Sequence, residues 1–437
     1  MSALPAGWVM TCIADIALFN PKTIAEDSLK AAFAPMQFLG TRYRDRMAFE
    51  ERPWGEIKKA YVHFQPRDVI VAKVTPCFEN GKAGVAPPLP NSIGAGSSEF
   101  CVFRPAQGVD ERYLLAWLST DDFRRRATVA MTGSVGLKRV PKEVFLSEQI
   151  PLAPEAEQKR IADKLDTVLT RVDAVNTRLA RVAPLLKRFR QSVLAAATSG
   201  RLTEDWRLDR RLPAPKAHEL GTIIRVSSGK GLTAKQMVGS GGIPVFGGNG
   251  ITGYHDQANT VEPTLLIGRV GYYCGSVHLT PPIAWVTDNA LIVRHDPKIV
   301  QKNYLFFALQ AIDLRQNDSS TAQPVISGQK IYGLLVVLPH FDEQTEIVRR
   351  VETLFAFADR LEARLAQAQT AATRLTPALL AKAFRGELVP QDPNDEPAAE
   401  LLRRLQAQRA TAVSASKTGT GRGRGRTAVA APAVTEN

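Results

Sequence analysis

The stretch Glu157–Leu202, EQKRIADKLDTVLTRVDAVNTRLARVAPLLKRFRQSVLAAATSGRL, returns without a gap 186 residues later as Glu343–Leu388, EQTEIVRRVETLFAFADRLEARLAQAQTAATRLTPALLAKAFRGEL. Of the 46 aligned pairs 14 are identical, among them Glu157/Glu343, Gln158/Gln344, Ile161/Ile347, Asp173/Asp359, Arg178/Arg364, Leu179/Leu365, Gly200/Gly386 and Leu202/Leu388. A repeat of this length makes the chain a duplicated unit.

Apolar residues of the first copy fall at Ile161, Leu165, Val168, Val172, Val175, Leu179, Val182, Leu186, Phe189 and Val193. That alternation of four- and three-residue steps is a coiled-coil seam. The second copy places Ile347, Val351, Leu354, Ala358, Leu361, Leu365, Ala368, Ala372, Leu375 and Leu379 in the same register. Each stripe needs an apolar partner and each can serve the other. Two unrelated amphipathic helices on separate cores are the alternative, and the shared register argues against it. The helices should end at Gly200 and Gly386, residues suited to a left-handed cap. Interior prolines interrupt the hydrogen-bond ladder, so Pro184 predicts a kink near Val182, and Pro377 raises the same issue at another phase of the second helix.

Outward from the helices, Ala3 to about Ile150 reads as mixed α/β. Strand-like runs occur at Ala60–Phe64, Val69–Val74 and Phe100–Arg104, and helical character at Tyr113–Leu118 and Asp121–Ala130. Leu220 to about Leu338 has the same make-up, and short stretches correspond. Asp68–Lys73 has a counterpart in Pro263–Arg269, Tyr113-Leu114 in Tyr304-Leu305, and Ile150-Pro151-Leu152 in Val337-Leu338-Pro339. The expected fold class is α+β: two mixed α/β domains joined by two long antiparallel coiled-coil helices with pseudo-twofold symmetry. The divisions are residues 1–152, 153–202 (first helix), 203–219 (linker), 220–339, 340–388 (second helix) and 389–437 (a mostly disordered basic tail). About 45 helical residues give a rod of roughly 65 Å. Antiparallel pairing lets each head cap one end, placing the heads about 60 Å apart, near two turns of duplex DNA. Such geometry suits a bipartite target.

With 437 residues the chain is too long for a single core. Its four cysteines, Cys12, Cys77, Cys101 and Cys274, lie far apart without metal-ligand spacing, which fits a reduced cytoplasmic protein. No apolar run is long enough to span a bilayer, and no signal peptide is evident at the start. The net charge of +13 suggests a polyanionic partner. Seven basic residues against one acidic residue lie in Arg403–Asn437 alone, however, including the run Gly421–Arg426, so the folded body is only moderately basic.

Catalytic signatures are sparse. Phe246-Gly247-Gly248-Asn249-Gly250 matches a pattern seen in S-adenosylmethionine-dependent methyltransferases, but no Asn-Pro-Pro-Tyr or Asp-Pro-Pro-Tyr follows, and a turn or contact loop explains the glycines better. Glu56-x-Lys58 lacks the preceding Pro-Asp of a nuclease motif. There is no GxxxxGK[ST] loop, and the six histidines are scattered without a metal-binding pairing. No catalytic or metal-binding residue is assigned.

The combination of Pro151-Leu152-Ala153-Pro154-Glu155-Ala156-Glu157-Gln158 with Ile161, its parallel from Leu338-Pro339 to Ile347, Thr75-Pro76-Cys77-Phe78-Glu79-Asn80-Gly81-Lys82, and Ile243–Gly250 with Gly268-Arg269-Val270-Gly271 resembles the specificity (S) subunits of type I restriction-modification systems. The resemblance extends from Ala6 to Leu405. It implies a noncatalytic subunit with two target-recognition domains, each reading half of a split target on double-stranded DNA. It further implies two methyltransferase (M) subunits that carry S-adenosylmethionine and methylate adenine, and restriction (R) subunits that use ATP and Mg. No cofactor is expected in this chain. The alternatives are a stand-alone S-adenosylmethionine-dependent DNA methyltransferase and a noncatalytic coiled-coil assembly protein.

Base reading needs donors and acceptors on exposed loops. Candidates in the first head are Arg42, Tyr43, Arg44, Arg46, Asn80, Lys82, Lys138 and Arg139, the last two after the loop Gly133-Ser134-Val135-Gly136. In the second they are Lys230, Lys235, Asn249, Tyr254, Arg269, Tyr272, Tyr273 and Lys330. A core or solvated role competes at every one: Arg269 could instead satisfy Asp288, and Tyr272 could pack inside. The seam residues Ile161, Leu165, Val172, Leu179, Leu186, Ile347, Val351, Leu354, Leu361 and Leu365 have the simpler assignment of core, while Arg171, Arg178, Arg360 and Arg364 flank it and could face M subunits.

Overall fold

A computed structural model of the chain describes residues 4–134, 136–316 and 325–419. Two compact units emerge, and they do not follow the linear order of the sequence: one combines the residues up to Thr177 with those from Gln369 onward, and the other is Arg178–Ala368. Each contains one head, the near part of the helix that leaves it, and the far part of the other long helix.

The two heads share a plan, although the first carries an extra strand, Val62–Phe64, in its mixed sheet and an extra hairpin, Thr132–Ser134 with Leu137–Arg139. In the first, Val9–Cys12 pairs antiparallel with Gln149–Leu152, and in the second Lys216–Glu219 pairs with Leu335–Leu338. An antiparallel sheet runs Ala17–Phe19, Phe100–Pro105, Val69–Ala72, Ala83–Val85 in one head and Ile224–Ser228, Ala290–His295, Leu265–Gly268, Val277–Leu279 in the other. Registers correspond, with Val69 opposite Phe103 and Leu265 opposite Val293. A mixed sheet completes each head, built on the parallel pairs Lys30–Ala34 with Gly94–Gly96 and Ile243–Gly247 with Trp285–Val286. The fold is α+β, as the sequence implied.

The first long helix spans Glu155–Thr198, with Glu155 and Glu157 in its first turn where the helix dipole favours carboxylates. It continues through Pro184 without a break, so the expected kink leaves no interruption. Its end is closed by Gly200 at φ +76°, with the Leu202 N–H reaching back to the Ala196 carbonyl. The second helix, expected over 340–388 with Pro377 as an interruption, divides into Phe341–Thr373 and Leu375–Ala383. Pro377 cannot donate to the Thr373 carbonyl four residues earlier, and the break falls at Arg374.

Pairing is antiparallel in both units. In the first unit Ile161, Leu165 and Leu169 share a core with Leu380, Ala383 and Phe384. In the second, Val193 and Ala197 pack with Ile347, Val348 and Val351, and Arg190 bridges Asp359 at 2.6 Å and Glu362 at 3.2 Å. Ile161, Leu165, Val172, Leu186, Ile347, Val351 and Leu365 are buried, while Leu179, Leu354 and Leu361 are half-buried. Val175 and Leu375, predicted on the seam, are exposed. Leu375 follows the break, which resets the helical phase.

The region after residue 388 also departs from expectation. Ala398–Gly419 is helical, and Ala398, Leu401 and Leu405 join the first head's core. Three apolar residues at positions i, i+3 and i+7 sufficed to dock this segment despite its basic composition. The expected disorder therefore fails as far as Gly419, and the run Gly421–Arg426 lies outside the described residues. Lys216–Glu219, assigned to the linker, is instead the first strand of the second head because Leu335–Leu338 offers it a free edge.

Candidate nucleic-acid interface

The interface begins with how each head is fixed to its helix. Gln158, fully buried, accepts the Asp110 backbone N–H at 3.1 Å through Oε1 and donates to the Ala153 carbonyl at 2.9 Å through Nε2. Gln344, also fully buried, accepts the Gln301 N–H at 2.8 Å and lies within bonding distance of the Ile299 and Pro339 carbonyls. Asp110 and Gln301 are the residues that begin the helices Glu111–Leu118 and Lys302–Ala311. One amide thus ties a long helix to a head helix and to the preceding strand, twice. Tyr113 and Tyr304 reinforce the joint by donating to the carbonyls of Pro151 at 2.5 Å and Val337 at 2.6 Å.

The neighbouring glutamates are buried in different company. Glu157 accepts the Trp8 indole N–H at 2.9 Å, and burial holds its carboxyl above the usual carboxylate range. Glu343 accepts from Arg207 at 2.7 Å and Thr203 at 2.8 Å. The repeated Glu-Gln was visible in the sequence; its clamping role was not, because the backbone N–H that each glutamine accepts lies more than 40 residues away.

In the first head several candidate residues are committed to internal contacts. Tyr43 donates to the Arg112 carbonyl at 3.0 Å, and its phenol is pushed well above its ordinary pKa by burial, then by Asp166 and Asp110. Arg44 lies 3.9 Å from Asp166, which also takes a bond from Arg112. Lys82 is spent on the Met36 carbonyl at 2.8 Å. Arg139 grips Glu99 through two bonds of 2.9 and 2.7 Å, and that contact lowers the Glu99 pKa. Arg42, Arg46, Asn80 and Lys138 are exposed. Lys138 sits on the hairpin formed by Thr132–Ser134 and Leu137–Arg139, whose tip residue Val135 lies outside the described residues.

The second head brings its candidates closer together. The hairpin Ile243–Gly247/Gly250–His255 carries exposed Asn249 between its strands and half-buried Tyr254 on its second strand. Ser276 donates to the Gly248 carbonyl at 2.5 Å, which ties this hairpin to the loop after Leu265–Gly268. A Cβ on Gly268 would lie 2.4 Å from the Gly248 oxygen, so only glycine permits that approach. The loop is closed by the Gly268 N–H to Ser276, the Gly275 N–H to Gly268 and the Cys274 N–H to Gly271. Its outer turn presents Tyr272, 85% exposed, and Tyr273, 50% exposed, with their rings edge to face at 5.0 Å. Tyr272 is therefore not core.

Arg269 donates to the Ser228 hydroxyl at 3.2 Å and to the Asp288 carbonyl at 3.4 Å, not to the Asp288 carboxylate. Lys230 and Lys235 are exposed. Lys330 donates to the Val325 carbonyl at 2.8 Å. The stretch Phe246–Gly250 thus turns from strand to strand, without the helix N-terminus that would face a nucleotide phosphate. Among the described residues no group of His, Cys, Asp and Glu is arranged to hold a metal ion, and no helix is long and apolar enough to cross a membrane.

Two like heads, each clamped to a long helix by the same glutamine and each presenting polar loops, to which the second adds Tyr272 and Tyr273, define a double-headed recognition scaffold. The chain belongs to the family of the type I restriction modification DNA specificity domain, which matches residues 5–183 and 216–369, and it is a specificity subunit. It is 31% identical over 389 residues to the type I restriction enzyme StySPI specificity subunit of Salmonella potsdam, covering 79% of this chain and 82% of that one. It is 34% identical over 209 residues to the EcoAI specificity subunit of Escherichia coli, covering 46% of this chain and only 36% of that one. A solved chain from a study of complex assembly and conformational transition of the type I R-M system superposes with a TM-score of 0.70 at 19% identity, over 89% of this chain and 100% of that one, and supports the fold.

Proposed function

We propose that this subunit reads a bipartite target on double-stranded DNA, one half through each head, and presents its paired helices to two methyltransferase (M) subunits, with restriction (R) subunits joining the assembly. The observation that carries this reading is the duplication itself. The same glutamine clamp fixes two heads that share the order and register of their antiparallel sheet but differ in their outer loops. A duplicated frame with unlike loops suits two unlike half-sites.

Division of labour within each head follows from which donors are committed. Arg139, Lys82, Tyr43 and Lys330 brace the loops from within. Arg42, Arg46, Asn80 and Lys138 in the first head, and Lys230, Lys235, Asn249, Tyr272 and Tyr273 in the second, are exposed and available to DNA. Exposed tyrosines offer base edges and sugars an apolar face with a hydroxyl. Arg44, Tyr254 and Arg269 stand at the margins of these surfaces and orient the loops. The exposed flanks Arg171, Arg178, Arg360 and Arg364 are offered to the M subunits. S-adenosylmethionine, ATP and Mg serve chemistry on those partner subunits, and this chain determines where it occurs.

Replacing residues 220–338 by the corresponding head of another specificity subunit, in the assembled complex, tests the reading. Sequencing the methylated DNA should then show one half-site changed and the other retained. An unaltered methylation pattern would overturn it. Stoichiometric binding of S-adenosylmethionine to the chain alone would favour the stand-alone methyltransferase instead.

A further inference from the structure

The two heads share an antiparallel sheet, and one place on it where they differ in charge forms a cavity. In the second head a cavity of about 540 Å³ is lined by Glu262, Thr264, Arg294, His295 and Lys302 among others. The equivalent cavity of the first head, about 390 Å³, is lined by Asp68, Arg104, Arg67, Glu111 and Glu155. Register makes the comparison residue by residue. Arg104 follows Phe103, which faces Val69, and Arg294 follows Val293, which faces Leu265. Asp68 and Thr264 therefore hold the same place before their strands.

In the first head that place is filled from within. Asp68, 1% exposed, receives both arms of Arg104 at 2.8 Å each, and Glu111 receives Arg67 at 2.9 Å. In the second head Thr264 supplies no carboxylate, and Lys302 replaces Glu111 at the first position of its helix. Arg294 is exposed and is engaged by no carboxylate among the described residues. Directly across the strand pair from Arg294 stands Arg225, where the first head has Leu18 opposite Arg104. Like charges facing each other across a ladder repel. Lys302 donates to the Pro263 carbonyl at 2.6 Å, which holds its ammonium at the cavity, and lies 4.0 Å from the exposed carboxylate of Glu262. Burial, then the Lys302 ammonium, lowers the His295 pKa against the opposing pull of Asp296 and Glu262.

We infer that this cavity is an anion site that takes a backbone phosphate of bound DNA in the position the Asp68 carboxylate occupies in the first head. Resting on the DNA-binding reading above, it deepens that reading by giving the second head a contact that sets position without reading sequence. A guanidinium fork matches two phosphate oxygens, and neutralising one phosphate releases about one counterion. The strand Leu265–Gly268 separates this cavity from the Tyr272 loop, which follows the opposite end of the same strand. The head would then hold backbone at one end and bases at the other.

The test uses the complete complex with M subunits and measures its affinity for target and unrelated duplexes across a salt series. Arg294→Ala should weaken both about five- to tenfold, lower the slope of log K against log salt by about 1, and leave the methylated half-sites unchanged. Thr264→Asp, which supplies the first head's carboxylate, should do the same, and Arg294→Lys should restore most of the affinity. Unchanged affinity and slope in Arg294→Ala, while the wild-type complex binds its target in a salt-dependent manner, would overturn the inference and leave the proposed function standing. Loss of M-subunit assembly with the DNA slope intact would overturn it in favour of an acidic protein partner. A wild-type complex without sequence-selective binding would overturn the proposed function itself.

Discussion

Oε1 of Gln158 accepts the Asp110 backbone N–H at 3.1 Å, and the same bond recurs between Gln344 and Gln301 at 2.8 Å. In each case a buried amide also serves one or more carbonyls, so truncation strands donors and acceptors together. Gln158→Ala and Gln344→Ala should each lower stability by about 2 kcal/mol, measured by denaturant unfolding of the full chain. A loss below a few tenths of a kcal/mol at both sites would show that the clamps are ornamental.

The neighbouring glutamates should respond to neutralisation with opposite sign. The folded pKa of Glu157 lies above that of the unfolded chain because of burial. Its protonated form therefore contributes stability that is complete below the unfolded pKa of about 4.3 and is lost as pH rises through the folded value. Glu157→Gln should match or exceed the parent at pH 8, with the gain vanishing towards pH 4. Glu343→Gln removes the charge that faces Arg207, whose side chain is 12% exposed, and should cost about 3 kcal/mol at neutral pH. Parallel pH-stability profiles for the two variants would contradict this assignment.

Tyr272 should matter for DNA and not for folding. At 85% exposure its replacement by alanine removes little packing. Thermal unfolding of Tyr272→Ala should coincide with the parent, while the complex's affinity for its target falls about tenfold or more. A shifted melting curve with unchanged DNA affinity would make the ring a structural element.

Lys138 and Lys82 offer a matched pair. Lys138 is exposed on a hairpin, whereas Lys82 is tied to the Met36 carbonyl. Lys138→Ala should weaken target and unrelated duplexes alike and reduce the salt slope by about 1. Lys82→Ala should leave the slope alone. Equal slopes for both variants would deny Lys138 a phosphate contact.

Long-range structure was legible where the chain repeats itself. Heptads from Ile161 and Ile347 gave the helices and their antiparallel pairing, the run Val69–Val74 contains the observed strand Val69–Ala72, and the run Phe100–Arg104 lies within the strand Phe100–Pro105. Of the mixed sheet of the first head, only the strand Val62–Phe64 was legible, inside the run Ala60–Phe64. The sheet's parallel pair is Lys30–Ala34 with Gly94–Gly96, alanine and glycine in place of the usual β-branched residues. Glycine is required there by packing: a Cβ on Gly94 would lie 2.4 Å from the Phe64 ring. At the interface, residue type identified donors but could not say which were already spent. Arg139 and Lys138 look alike in sequence, and only the fold brings Glu99, 40 positions away, to one of them.

The division into two units has a consequence for synthesis. Arg178–Ala368 is contiguous, so everything its core needs has left the ribosome once that segment has emerged. The other core includes Leu380, Phe384, Leu401 and Leu405. The head made first must wait, with Ile161 and Leu165 uncovered, until the last of the core is translated. Birth order and completion order are reversed, and a nascent chain stalled before residue 380 carries a finished second head and an unfinished first.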